Sequence, residues 1–135
     1  MSEIASGDDL TLDVIDRLHA ECPLLQSVNE AWFAEPIDDL SEELPAAFVY
    51  LDSDTAEGGA ETLRPVQAAT QMYGVWLVAP RDQFRELRKQ VRAALFAHDF
   101  SPYHDPMEYR SGQQADVKGR YVWWLEMWST DTHIR

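Results

Sequence analysis

The sequence predicts an α+β domain: a single, mostly antiparallel sheet with two main helices and one short helix packed on one face. Three observations predict it. The elements run helix, short strand, short helix, strand, long strand, helix, strand, long strand. Two segments carry apolar residues at helical spacing and two carry long strand-like runs. The last strands are adjacent in the chain and separated only by a turn, which favours antiparallel pairing over a crossover. At 135 residues the chain is expected to be one domain, 1–135, able to bury a core without staples.

The first helix is expected in "DDLTLDVIDRLHAEC". Asp8 or Asp9 can cap it, Leu10, Val14, Ile15, Leu18 and Cys22 share one face, and Pro23 ends it. "LLQSV" is a short strand candidate. "PIDDLSEELP" reads as the short helix, with Pro36 at its start, acids in its first turn and Pro45 beyond its end. "AAFVYL" (46–51) is an apolar strand, and "DSDTAEGGAET" (52–62), aperiodic with adjacent glycines, reads as a mobile loop.

From Val66 to Ala79 the pattern is strand-like throughout. Such a run reaches ~46 Å, longer than the roughly 36 Å diameter of a globule this size. Its first half, "VQAATQ", is weakly apolar, so it is expected to be an arm projecting from the body. "PRDQFRELRKQVRAALFAH" is the strongest helix pattern, from about Asp82, its cap, to Ala97, with Phe84, Leu87, Val91, Ala94 and Leu95 on one face. "DFSPYHDP" is a loop. "MEYRS" and "VKGRYVWWLEMWST" form the final hairpin with "GQQAD" near its turn.

Charge narrows the function. The net charge of −13 argues against holding nucleic acid by its phosphates. Residues 1–63 carry 16 acids and one base, whereas 64–135 carry 8 acids and 10 bases. One reading is that the acids keep the protein soluble; another is a dipolar surface that sets one subunit against the next. No apolar run is long enough to span a bilayer, and the polar start "MSEIASGDD" is not expected to be a signal peptide. The single cysteine, Cys22, leaves no internal disulfide and reads as core filler in a reducing compartment.

Chemistry-bearing patterns are sparse. His98-Asp99 and His104-Asp105 could form a metal site or base–orienter pairs, but Pro102 sits between them and no HExxH-type spacing supports them. Asp38-Asp39 and Glu42-Glu43 read as a solvated helix face. Gly58-Gly59 lacks the context of a phosphate loop, and no GxSxG or CxxC occurs. An enzyme is not expected, and no cofactor.

A basic stripe is more specific. At ~100° per residue Arg81, Arg85, Arg88, Lys89 and Arg92 share one sector of the long helix. It is either a solvated face with Arg stems packed on the core edge or a ridge for an acidic neighbour. The other feature is "YVWWLEMWS" (121–129), with apolar side chains on both parities and three of the five tryptophans. If the helices cover a face shared by Tyr73, Val75 and Leu77 with Tyr121, Trp123 and Leu125, then Met72, Trp76, Trp124 and Trp128 are left on the other. Exposed aromatics of that kind mark a partner surface; the competing reading buries them under the protein's own loops. The expected interface residues are therefore Val66, Ala68, Thr70 and Met72 on the arm, Trp76, Trp124 and Trp128 on the sheet, and Arg85, Arg88, Lys89 and Arg92 on the helix.

These elements, in this order, resemble the tail terminator (tail completion) proteins of long-tailed bacteriophages. The stretches that carry the resemblance are "VIDRLHAECPLLQSV", "LPAAFVYL", "RPVQAATQMYGVWLVAPRD", "LRKQVRAALFAH" and "GRYVWWLEMWST", covering most of residues 10–130. The resemblance implies a structural subunit without cofactor or catalysis. It would form a homohexameric ring on the head-proximal end of the tail tube, stop tube growth and present the surface that joins the head. Its partners would be its own copies, the tube protein and a head-completion or connector protein. DNA would pass through the lumen without specific binding, no membrane would be involved, and the protein would be a virion component assembled in the host cytoplasm. The competing classes are a cytoplasmic protein-binding module that uses the aromatic sheet face, and a small metal-dependent hydrolase that uses the two His-Asp pairs.

Overall fold

A computed structural model describes residues 3–37, 43–57 and 66–135. Its elements are α1 (Thr11–Glu21), β1 (Ser27–Glu30), β2 (Ala46–Glu57), β3 (Gln67–Pro80), α2 (Arg81–Leu95), β4 (Glu108–Lys118) and β5 (Tyr121–Ile134). The five strands make one sheet in the order β1-β2-β3-β5-β4, antiparallel except for the parallel β1–β2 pair. The expected α+β class holds. The short helix expected at 36–45 falls largely outside the described residues, as do Asp38, Asp39, Glu42 and the Gly58-Gly59 pair.

Helices α1 and α2 lie on one face of the sheet and share its core. Val14 and Leu18 from α1 and Leu87, Val91, Ala94 and Leu95 from α2 pack on Val49, Val75, Leu77 and Trp128. Each helix buries one apolar stripe and leaves most of its charged residues outside, the outcome that their periodicity dictates. The expected cap by Asp8 or Asp9 does not form: the cap position is Leu10, without a side-chain cap hydrogen bond, and Asp9 Oδ1 instead accepts from the Thr11 N–H at 2.8 Å and from the Thr11 hydroxyl at 2.6 Å. Asp82 stands inside the first turn of α2, which begins after Pro80, likewise without a side-chain cap. Cys22 is buried in the core, and desolvation pushes its thiol up to about 11, which suits packing rather than reactivity.

Three further sequence-based expectations need correction. The segment after Leu51 is strand through Glu57, not a loop; its polar side chains hid it because Asp54, Thr55 and Ala56 are exposed on both faces. The last hairpin turns at Gly119-Arg120, and "GQQAD" lies within β4. Gly119 has φ +64°, a conformation that glycine adopts without strain at the first central position of a tight hairpin. Finally, "VQAATQ" is not an unpaired arm. Gln67–Met72 is flanked by β2 on one side and β5 on the other, so the whole three-stranded end of the sheet extends together.

That extended end has its own cover on the helix face. Gln71, fully buried, donates from Nε2 to the Gly7 and Asp8 carbonyls, each at 3.1 Å. The Tyr73 hydroxyl donates to Gln71 Oε1 at 2.7 Å and accepts from the Leu10 N–H at 2.8 Å. The segment before α1 thereby closes over the distal sheet with its backbone polar groups paired, as burial requires.

Candidate assembly interface

Register decides which aromatic rings reach the outside. Residues directly opposite across an antiparallel pair share a face. Leu77 opposes Trp124, Val75 opposes Glu126 and Tyr73 opposes Trp128, so these six lie on the helix face. Trp76 opposes Leu125 and Val78 opposes Trp123, so these lie on the other. The expected grouping of Tyr73, Val75 and Leu77 with Trp123 and Leu125 is off by one residue, a slip that exchanges every side chain between faces.

The second face has a cover of its own. Ala31, Phe33, Ile37 and Leu44 pack on Ala46, Phe48, Trp76, Val78 and Trp123, forming a separate small core. Phe33 is its centre, with ring centroids 4.9 Å from Phe48, 5.5 Å from Trp123 and 6.4 Å from Trp76. Trp76 and Trp128 are therefore interior residues, 2% and 0% exposed, and do not form an outward surface. Trp124 is half-buried on the helix face, edge-on to Phe84 at 5.4 Å.

Past this strap the same face is more open. Tyr50, Met72 and Met127 are half-buried, with the Tyr50 ring lying across Gly74, where a Cβ would come within 2.2 Å of Tyr50 Cζ. Ala68, Thr70 and Met72 follow one another along this face by strand alternation, and the Thr70 hydroxyl donates to Asp131 Oδ1 at 2.7 Å. Val66, just before β3, is half-buried.

The basic stripe divides in two. Arg88 turns inward: its guanidinium lies 4.3 Å over the Trp124 ring, and Nε stands 3.6 Å from Glu126 Oε2. Glu126 is fully buried and accepts from the Trp128 Nε1–H at 3.1 Å and the Trp124 Nε1–H at 3.2 Å. Burial lifts its carboxyl above the ordinary value, against the pull of the two indoles and of Arg88 and Arg92. Arg85, Lys89 and Arg92 remain exposed, with Arg92 5.4 Å over the Tyr109 ring. The parity of Trp124, Glu126 and Trp128 was the signal that could have found this cluster.

The His-Asp pairs do not converge. His104 is buried; its Nδ1 lies 2.8 Å from the Ser101 hydroxyl and its Nε2 2.9 Å from the Asp8 carbonyl. A carbonyl only accepts, so Nε2 carries a proton and donates to it. His98 packs edge-on against Phe100 at 4.5 Å, and burial, then Arg17, lowers its pKa. Asp99 and Asp105 are exposed. Among the described residues no group of three or more His, Cys, Asp or Glu side chains is placed to hold a metal ion.

Sequence reasoning also passed over the exposed large apolar residues. Leu12 is 66% exposed, Trp32 70% and Phe96 61%. Leu12 and Phe96 fall outside the apolar stripes of their helices, which was visible in the periodicity.

A family model described as "Phage tail terminator protein" matches residues 9–135. No curated protein matches the chain.

Proposed function

The chain belongs to the phage tail terminator family, structural proteins of the virion tail, and from that membership we propose that it forms a ring closing the head-proximal end of the tail tube. The ring ends tube polymerisation and presents the surface on which the head is joined. Its partners are further copies of itself, most simply six, the tube protein below and a head-completion or connector protein above. The single observation that carries this reading is the family match over nearly the whole chain.

Other features fit it. The half-open patch of Ala68, Thr70, Met72, Tyr50 and Met127 lies on the extended end of the sheet, beyond the strap, and offers a surface for a tail or head partner. The strong net negative charge suits a lumen through which DNA slides without sticking. Assembly takes place in the host cytoplasm, before the tail meets the head.

The test is tube growth in vitro. Tube protein polymerised with the purified chain should give shorter tubes that stop elongating, at a ratio of one ring per tube. Tubes that reach the same lengths with and without the chain would refute termination.

A further inference from the structure

Helices α1 and α2 lie side by side, and their outer flanks differ in charge and face opposite ways. Arg17 Nε donates to the Ala94 carbonyl at 3.0 Å, and Gln90 Oε1 accepts from the Leu24 N–H at 3.1 Å. These bonds fix which flank of each helix meets the other. At ~100° per residue, Leu12 and Asp16 lie across the buried stripe of α1 from Arg17. Arg85, Lys89, Arg92 and Phe96 lie across the buried stripe of α2 from Gln90 by the same geometry.

The outer flank of α1 is a groove of about 770 Å³, with Ile4 and the exposed Leu12 in a collar of Glu3, Asp8, Asp9, Asp13 and Asp16. Burial pushes the Asp13 carboxyl up, its own backbone hydrogen bond opposes that, and Asp16, Asp8 and Asp9 add to the rise. A cation brought close would relieve this crowding. The outer flank of α2 is the counterpart: a groove of about 310 Å³ lined by Lys89, Arg92, Ala93 and Phe96. Phe96 also borders a second groove, of about 500 Å³, beside Met107 and Tyr109. Among the described residues, none of Arg85, Lys89, Arg92 or the five acids is ion-paired within the subunit.

We propose that a second copy of the chain docks head to tail, the acidic flank of α1 seating on the basic flank of α2 of its neighbour, with Leu12 against Phe96. This contact rests on the ring reading and specifies its surfaces. An apolar centre inside a charged rim is the anatomy of a specific interface, the centre giving affinity and the rim register. Two unlike patches on opposite sides of one subunit make a heterologous contact, which closes into a ring when the rotation allows. The same chain carries both halves of the complement, which selects its own copy as the occupant over a foreign partner.

Charge exchange tests it. Glu3, Asp16, Lys89 and Arg92 are exposed, and none of the four makes an ion pair among the described residues. Lys89→Glu/Arg92→Glu subunits and Glu3→Lys/Asp16→Lys subunits should each self-associate at least about tenfold more weakly than wild type in analytical ultracentrifugation. Unchanged thermal unfolding would show that both still fold. Mixed one to one, they should associate more tightly than either variant alone, because in an alternating ring half of the contacts keep both wild-type flanks and the other half set the new lysines on the new glutamates. Variants that form rings as readily as wild type, or a mixture that stays dissociated, would overturn the flank contact while ring formation by wild type leaves the terminator reading standing. A wild-type chain that is monomeric at every concentration, alone and on tubes, would sink both.

Discussion

Glu126 offers the sharpest test of the interior. Its two carboxylate oxygens each accept from a different indole, Oε1 from Trp128 and Oε2 from Trp124. Glutamine keeps one oxygen and turns an NH₂ group, itself a donor, toward the other indole. One indole donor loses its acceptor, which costs about 1–3 kcal/mol. Leucine removes both acceptors, so about 2–6 kcal/mol is at stake, reduced because a buried charge is no longer desolvated. A domain of this size has roughly 5–15 kcal/mol in total, so urea unfolding followed by tryptophan fluorescence will resolve both changes. The pH dependence has a definite sign. Burial raises the folded-state pKa above 4.5, so between 4.5 and that raised value the folded state binds the proton more tightly than the unfolded chain. Stability from this group is fully present below 4.5 and is lost as pH rises through the window. Glu126→Gln lacks that slope, so its deficit against wild type should shrink as pH rises. A Leu variant as stable as wild type, or a Gln deficit that grows with pH, would refute the reasoning.

Further predictions concern the strap, the sheet and the histidines. Phe33→Ala should destabilise by about 3 kcal/mol and shift tryptophan emission to the red as Trp76 and Trp123 meet water; urea melts with unchanged emission would contradict the strap. Gly74→Ala should destabilise by about 1–3 kcal/mol, because the new Cβ meets the Tyr50 ring, and Tyr50→Ser should recover part of that loss by thermal melting. His104→Ala should destabilise by about 1–3 kcal/mol, since the Ser101 hydroxyl and the Asp8 carbonyl lose their buried partner. His98→Ala should change stability by under about 1 kcal/mol, and neither histidine variant should alter zinc content by elemental analysis.

What the sequence made legible follows from where one physical signal dominated. Helix α2 was readable because a single apolar stripe and a charged remainder leave no other arrangement. The α+β class followed from element order, from the helical and strand-like periodicities, and from the adjacency of the last strands. The faces of β5 were not readable, because apolar side chains on both parities fit either register, and only pairing with β3 breaks the tie. Glu126 was the one clue, a charge sharing parity with Trp124 and Trp128, and it was hidden inside the most apolar stretch. Strand β4 was missed over Gly112–Asp116 because an edge strand needs no alternation. The cover on the second sheet face comes from Ala31–Ile37, a segment with no regular structure and therefore no period to detect. The candidate interface was legible in part: the basic stripe was seen, but its acidic counterpart requires knowing which flank of α1 faces α2.

The terminator account is tested most directly by electron microscopy of tail tubes assembled with the purified chain. It predicts a closed ring of chain subunits on one end of each tube, the end that faces the head, and none along the shaft. Chain density distributed along the tube wall, or bare ends on tubes whose growth has stopped, would contradict it.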